Sequence, residues 1–321
     1  MKKAVRIVFI ICLIGLFSTL FILPIDKKKP EVTHLKVVST IFPAYDFART
    51  ISQDVELENK LLIKPGIELH GYEPSPQDII DIKESHIFIY NGGESEEWVE
   101  KIIPEIDKSA TIVIRMMDTV ELKAETTSDA LEKDDDSKQE QPEYDEHIWV
   151  SPNNAIHIAE AISQGFKTSD PDNSAIYQHN LEQLKGQLKH LDDSFRDLSK
   201  RKTGTIIIAD RFPFKYLVDE YGFDYIAAFP GCSEQTEASA KTIAELNKTV
   251  EQSPQKIIFN LELSNTKIAQ SIAKTTNARI LTLHSLHNLS IEDFNNGRTY
   301  VDIMTDNLNN ISEALHERIT D

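Results

Sequence analysis

Residues 173–200 read NSAIYQHNLEQLKGQLKHLDDSFRDLSK. Leu181, Leu184, Leu188, Leu191, Phe195 and Leu198 recur at spacings of three and four, which places them on one continuous helical stripe. The stripe predicts a single long helix whose apolar face is core. What flanks it decides the fold. Four short apolar runs precede it, at 35–39, 61–64, 86–90 and 111–114, and four follow it, at 205–209, 225–228, 256–260 and 279–283. Helical patterns fill the gaps between them, and this alternation is the signature of βαβ units and mostly parallel sheets. The expected fold is α/β, with two lobes that each hold a mostly parallel four-stranded sheet with flanking helices. The lobes span 31–169 and 203–321, joined by a long rigid connecting helix over 170–202. Ser75-Pro76, Ser151-Pro152 and Asp170-Pro171 each set a capping side chain before a proline at the first helical position. A last helix is expected over 300–318, from the spacing of Val301, Met304, Leu308, Ile311 and Leu315.

The chain has 321 residues, enough for two domains, and 40% are hydrophobic, enough for a sizeable core. Lys and Arg number 34 against 52 Asp and Glu, a net charge of −18 that argues against nucleic-acid binding. Lys2, Lys3 and Arg6 precede an apolar run from Ile7 to Leu23, closed by Pro24 and the lysines at 27–29. A charged start before a hydrophobic segment is an export signal, and the run has the length of a short membrane span. With no small-x-small cleavage site and no small residues ahead of Cys12, residues 1–30 read as an uncleaved signal anchor. The remainder is then extracytoplasmic, held at the cell surface or in a periplasm. Cys12 lies in that run, so Cys232 is the remaining thiol, and a zinc ribbon or disulfide scaffold is excluded. Residues 121–146 hold eleven acidic and three basic side chains, a local charge of −8, and read as a mobile loop. Such a loop either solubilises the protein or collects cations beside a site.

No GxxxxGK[ST], GxGxxG, GxSxG or HExxH motif is present, so nucleotide binding and the common hydrolase chemistries lack support. Histidine placement remains. His70 lies in a loop before the Ser75 cap, and His147 lies just before the Ser151 cap. His284 follows the run at 279–283, and Asp210 follows the run at 205–209. In open α/β sheets ligands bind beyond the carboxyl ends of strands, so these four side chains can converge between the lobes. Three imidazoles and one carboxylate suit a divalent cation, Zn2+ first and Mn2+ as the alternative.

Several segments resemble the solute-binding component of zinc or manganese ABC transporters. Val38-Ser39-Thr40-Ile41-Phe42-Pro43-Ala44-Tyr45-Asp46-Phe47 is similar to that family's opening strand and helix. Residues 66–76, GIELHGYEPSP, resemble its first ligand motif, with His70 at the ligand position, and Glu146-His147-Ile148-Trp149 resembles its second. Phe214-Lys215-Tyr216-Leu217 with Tyr221-Gly222-Phe223 matches the segment after its third ligand, and Leu283-His284-Ser285 sits where a fourth is expected. The likeness covers nearly everything after residue 35. It implies two α/β lobes around a buried metal, a monomer, and delivery to a membrane permease with its ATPase. The third ligand position falls on Arg211, and a guanidinium cannot coordinate a cation. Asp210 is the nearest substitute, Glu262 a second candidate, and Cys232 a third. Other readings are a zinc-dependent hydrolase using Glu68, Glu73 or Glu146 as base, and a cell-adhesion protein whose metal is structural.

Overall fold

The computed structural model describes residues 34–67, 71–125, 144–231 and 238–315. The expected signal anchor at 1–30 lies outside these. Among the described residues no helix is long and apolar enough to cross a membrane.

The first sheet holds β1 (Leu35–Ser39), β2 (Leu57–Leu61), β3 (Ile87–Tyr90) and β4 (Ile112–Arg115) in the order β2-β1-β3-β4. The second holds β5 (Ile206–Ile208), β6 (Tyr225–Ala227), β7 (Ile257–Leu261) and β8 (Arg279–Leu283) in the order β6-β5-β7-β8. Every pairing is parallel. Both sheets are therefore α/β units of the same topology, as the alternating pattern predicts. The helices are α1 (Phe42–Ile51), α2 (Pro76–Lys83), α3 (Glu97–Ile102), α4 (Pro152–Ser169), α5 (Ser174–Arg201), α6 (Lys215–Tyr221), α7 (Ala240–Gln252), α8 (Lys267–Thr276), α9 (Ile291–Asn295) and α10 (Tyr300–Leu315).

Strand periodicity assigns the two faces of each sheet. Val37, Ile87 and Ile89 point into a central core, while Val38, Phe88 and Tyr90 point the other way, onto Ile82 of α2 and Val99 and Ile102 of α3. In the second sheet Ile206, Ile208, Ile257 and Phe259 join that same central core. Ile207 and Ile258 instead meet Leu246 and Val250 of α7 and Ala269 and Ile272 of α8. One core thus runs through both sheets, and α5 lies in it. All six residues of the long stripe are at most 4% exposed. At about 1.5–3 kcal/mol for each buried large apolar side chain, the stripe anchors the 28-residue connecting helix to both lobes.

The structure departs from the sequence reading at three places. β2 spans Leu57–Leu61, ahead of the apolar run at 61–64. It is a half-exposed strand at the sheet edge carrying Glu58, Asn59 and Lys60, so hydrophobicity points past it. The apolar residues continue the ladder instead, with Leu62 N–H donating to Ser39 O at 2.9 Å. Asp170 ends α4 and does not cap the next helix. Its carboxylate accepts from Asn173 Nδ2 and Tyr177 Oη, each at 2.7 Å, across a 3-10 turn.

The acidic segment is ordered at both ends. Ala124 and Tyr144 form an antiparallel bridge, Asp145 N–H donates to Lys123 O at 2.9 Å, and Tyr216 Oη donates to Asp145 O at 3.0 Å. Asp145 and Glu146 are each 1% exposed. A charge count cannot show that these two acids have donors waiting in the interior. Residues 126–143 lie outside the described residues, as do those after 315.

The antiparallel bridge holds the two ends of the segment side by side, so a short turn can join them. Excising residues 127–142 and linking Thr126 to Glu143 through Gly-Asn should leave the melting temperature of the metal-free protein within about 2 °C of wild type. Calorimetry checks this, and a drop of several degrees would show that the excised residues cover part of the core.

Candidate metal centre

Each sheet changes winding direction at its middle. The chain leaves β1 and β3 on opposite sides, and likewise β5 and β7, which creates a crevice at the carboxyl ends of those strands. The residues just past β5 and β7, and the loop after β8, wall a narrow cleft. His147 and Ile67 line it from the first lobe, with Arg211, Glu262, Ser285 and His287 from the second.

His147 is fully buried, one residue before a 3-10 turn at Ile148–Val150. Its Nδ1 lies 3.1 Å from Asp145 Oδ1, and the same oxygen accepts the His147 backbone N–H at 2.8 Å. A carboxylate on Nδ1 fixes that nitrogen as the protonated one and leaves Nε2 as a lone-pair donor. That Nε2 is buried and has no hydrogen-bond partner among the described residues. Burial opposes protonation of this ring, but the negative charges of Asp145, then Glu146 and Glu125, outweigh it and hold the pKa above its ordinary value.

His287 faces His147 across the cleft, ring centroids 4.6 Å apart and planes at 80°. Trp149 lies edge-on to the His287 ring at 5.0 Å, and its indole N–H donates to Ser285 O at 2.8 Å. Glu146, His147 and His287 each offer a ligand atom within 4.8 Å of the others. Of the three, Glu146 is the most committed elsewhere. Its carboxylate accepts the Ser95 hydroxyl and, at 3.2 Å, the Ser95 N–H. It fits there because Gly93 (φ 89°) has no side chain, and a Cβ would stand 2.5 Å from Glu146 Oε2.

The structure brings His147 into the cleft but places His284 and Asp210 differently. His284 is not in the lining. Its Nδ1 accepts Leu286 N–H at 3.0 Å, and Asn307 brackets its backbone through Nδ2 and Oδ1, each at 2.8 Å. Burial lowers its pKa to about 4, so it is neutral. The turn that separates it from His287 passes through Leu286, a non-glycine residue at φ 64° with a fully buried side chain. That backbone costs about 1–2 kcal/mol, which the buried leucine offsets. Two histidines three residues apart therefore face in different directions. Position directly after a strand singles out His284, while the signal for His287 is the repeat Leu283-His284-Ser285-Leu286-His287, which carries a second histidine past that strand.

Asp210 also has other partners. Its carboxylate accepts the Ser264 hydroxyl, Arg211 N–H at 2.9 Å and Leu261 N–H at 3.4 Å, tying the end of β5 to the end of β7. Glu262 and Arg211 do line the cleft. His70 and Cys232 lie outside the described residues, though Ile67, in the cleft wall, is three residues before His70.

Two parallel-sheet lobes with an imidazole-lined cleft at their switch points define a solute-binding protein for a metal ion. The family described as zinc-uptake complex component A, periplasmic (ZnuA) matches residues 37–314, and the chain belongs to it. Its members are transport proteins that bind a solute, not enzymes. The chain is 29% identical over 281 residues to the high-affinity zinc uptake system protein ZnuA of Bacillus subtilis, covering 88% of each. The crystal structure of the metal-dependent lipoprotein YcdH from Bacillus subtilis superposes with a TM-score of 0.73 at 28% identity, over 88% of this chain and all of the other. The Zn(II)-bound ZnuA-like domain of Streptococcus pneumoniae AdcA gives 0.71 at 26% identity, over 88% and 99%. Full-length AdcA, a zinc-binding lipoprotein, is longer, and the chain spans 60% of it.

Close to the site, Glu96 is fully buried and accepts Asn91 N–H at 2.7 Å and Gly92 N–H at 2.8 Å. Burial pushes its pKa up to about 7, the backbone donors oppose the rise, and the charge of Glu146 adds to it. An acid raised in the folded state binds a proton there that the unfolded chain has released. Its contribution is present below the unfolded value near 4.5 and is lost as pH rises through about 7. Relative to Glu96→Gln, the wild-type protein should lose on the order of 3 kcal/mol of stability between pH 4.5 and 7.5. Urea unfolding of both metal-free proteins across that range checks this, and a constant difference would show that Glu96 does not titrate there.

Proposed function

We propose that this protein is the extracytoplasmic solute-binding component of a metal ABC transporter, capturing Zn2+ between its lobes and handing it to a membrane permease powered by an ATPase. The observation that carries the reading is the buried Nε2 of His147, unbonded and aimed at the cleft that His287 enters from the other lobe. A buried ring nitrogen without a partner costs free energy unless a ligand satisfies it, and a divalent cation is what a neutral imidazole satisfies best. In this reading His147 and His287 are ligands and the sequence motif supplies His70 as a third. His287 takes the place first given to His284, and Asp210 holds the strand ends together. Arg211 supplies no ligand, so a water or a further side chain completes four coordination. Imidazole-rich coordination favours zinc over manganese, which prefers oxygen ligands. Residues 1–30 tether a monomer to the membrane, with the lobes outside.

Competition with a chromophoric chelator tests the ligand set on residues 31–321. His147→Ala and His287→Ala should each weaken zinc binding at least about 100-fold. His284→Ala and Asp210→Asn should lower thermal stability but bind at least about ten-fold more tightly than those two. Excess manganese should not displace zinc. Wild-type affinity in His287→Ala, with zinc lost in His284→Ala, would move the fourth ligand back to the strand end.

A further inference from the structure

We infer that Glu262 is a positioning residue that acts through Ser285 to hold His287 in its metal-binding tautomer. The inference rests on the ligand assignment above and goes beyond it, since Glu262 itself then touches no metal. Glu262 stands just past the end of β7, at the switch point of the second sheet. Its Oε2 accepts Ser285 N–H at 2.8 Å and its Oε1 accepts the Ser285 hydroxyl. A carboxylate can only accept, so the proton of that hydroxyl points at Glu262. Ser285 Oγ lies 2.9 Å from His287 Nδ1. With its own proton committed, Oγ can only accept from the ring, and Nδ1 therefore carries the hydrogen. The lone pair is left on Nε2. The direction of each hydrogen bond follows from the one before it, starting at a group with no proton to give.

The two lobes thereby reach one result by different means. In the first, Asp145 contacts His147 Nδ1 directly. In the second, the carboxylate is one hydroxyl further away. The wall is rigid enough for the relay to hold direction, because Trp149 clamps Ser285 O and Phe42 N–H donates to His287 O at 3.1 Å. Ser285 is 4% exposed, which keeps water from substituting for its hydroxyl. The second carboxylate candidate of the sequence reading is thus part of the site without being a ligand.

Glu262→Gln, Ser285→Ala, Ser285→Thr and His287→Ala separate the possibilities. Glutamine can turn its NH2 toward Oγ, freeing the hydroxyl proton to point at the ring and reversing the relay. Glu262→Gln and Ser285→Ala should weaken zinc binding about 10–100-fold, while Ser285→Thr, which keeps the hydroxyl, should stay within about three-fold of wild type. The second readout needs no metal. Nitrogen-15 histidine spectra of metal-free protein at pH 8 should show His287 protonated on Nδ1 in wild type and Ser285→Thr, and on Nε2 or mixed in the other two. An unchanged tautomer in both Ser285→Ala and Glu262→Gln overturns the relay. So does wild-type affinity in both when His287→Ala has lost zinc. Zinc lost in Glu262→Gln but kept in Ser285→Ala would make Glu262 a direct ligand and overturn it too. If His287→Ala itself binds normally, the ligand assignment fails and the metal-free spectra alone decide the relay.

Discussion

Everything at the cleft depends on how residues 285–289 of the second lobe are hydrogen-bonded into the first. Trp149 Nε1 takes Ser285 O at 2.8 Å, Phe42 N–H takes His287 O at 3.1 Å, and Gly66 N–H takes Leu289 O at 2.7 Å. Asn288 Nδ2 adds Lys64 O at 2.6 Å and Ile67 O at 2.9 Å. Phe42, Trp149, Ser285, His287, Asn288 and Leu289 are buried, and a buried polar group left without its partner costs about 1–3 kcal/mol. Pulling the lobes apart here would orphan several at once. The shared hydrophobic core makes the same demand, since both sheets turn one face into it. Opening and closing about a cleft is therefore expensive in this molecule, and the position of His287 relative to His147 is part of the fold.

Around the two imidazoles of the cleft, acidic side chains act through hydrogen bonds. Of the carboxylates near the two rings, Asp145 holds His147, Glu262 reaches Ser285, and Glu146 is occupied by Ser95. Glu96, deeper, has its pKa pushed up to about 7 by burial, so it carries only part of a charge at neutral pH. In the proposed ligand set, the negative charge of this region orients imidazoles and favours a cation overall, while coordination falls to nitrogen. Arg211 in the lining has the opposite sign and offsets part of that field.

The sequence by itself determined the α/β class, the two groups of four strands and the long helix. Those depend on local periodicity, and the stripe from Leu181 to Leu198 contains its own evidence. It placed β2 late, at 61–64, because an edge strand with polar residues does not announce itself. It also ran the mobile acidic segment too far, through 146, because Asp145 and Glu146 are distinguished only by partners such as Tyr216 and Ser95.

At the site, sequence placed histidines at the ends of strands and before helix caps, and His147 lies in the cleft wall. Only the tertiary structure decided which of two neighbouring histidines turns inward. His284 and His287 are chemically identical and three residues apart; a left-handed residue at Leu286 and the hydrogen bonds of Asn307 to the His284 backbone turn the first away from the cleft. Likewise Asp210 and Glu262 are both acids at strand ends, yet one is spent on Ser264 and backbone N–H groups and the other on Ser285. Sequence fixes which groups are available. The direction of each lone pair depends on partners far along the chain, such as Trp149, 136 residues from Ser285, and those exist only once the chain has folded.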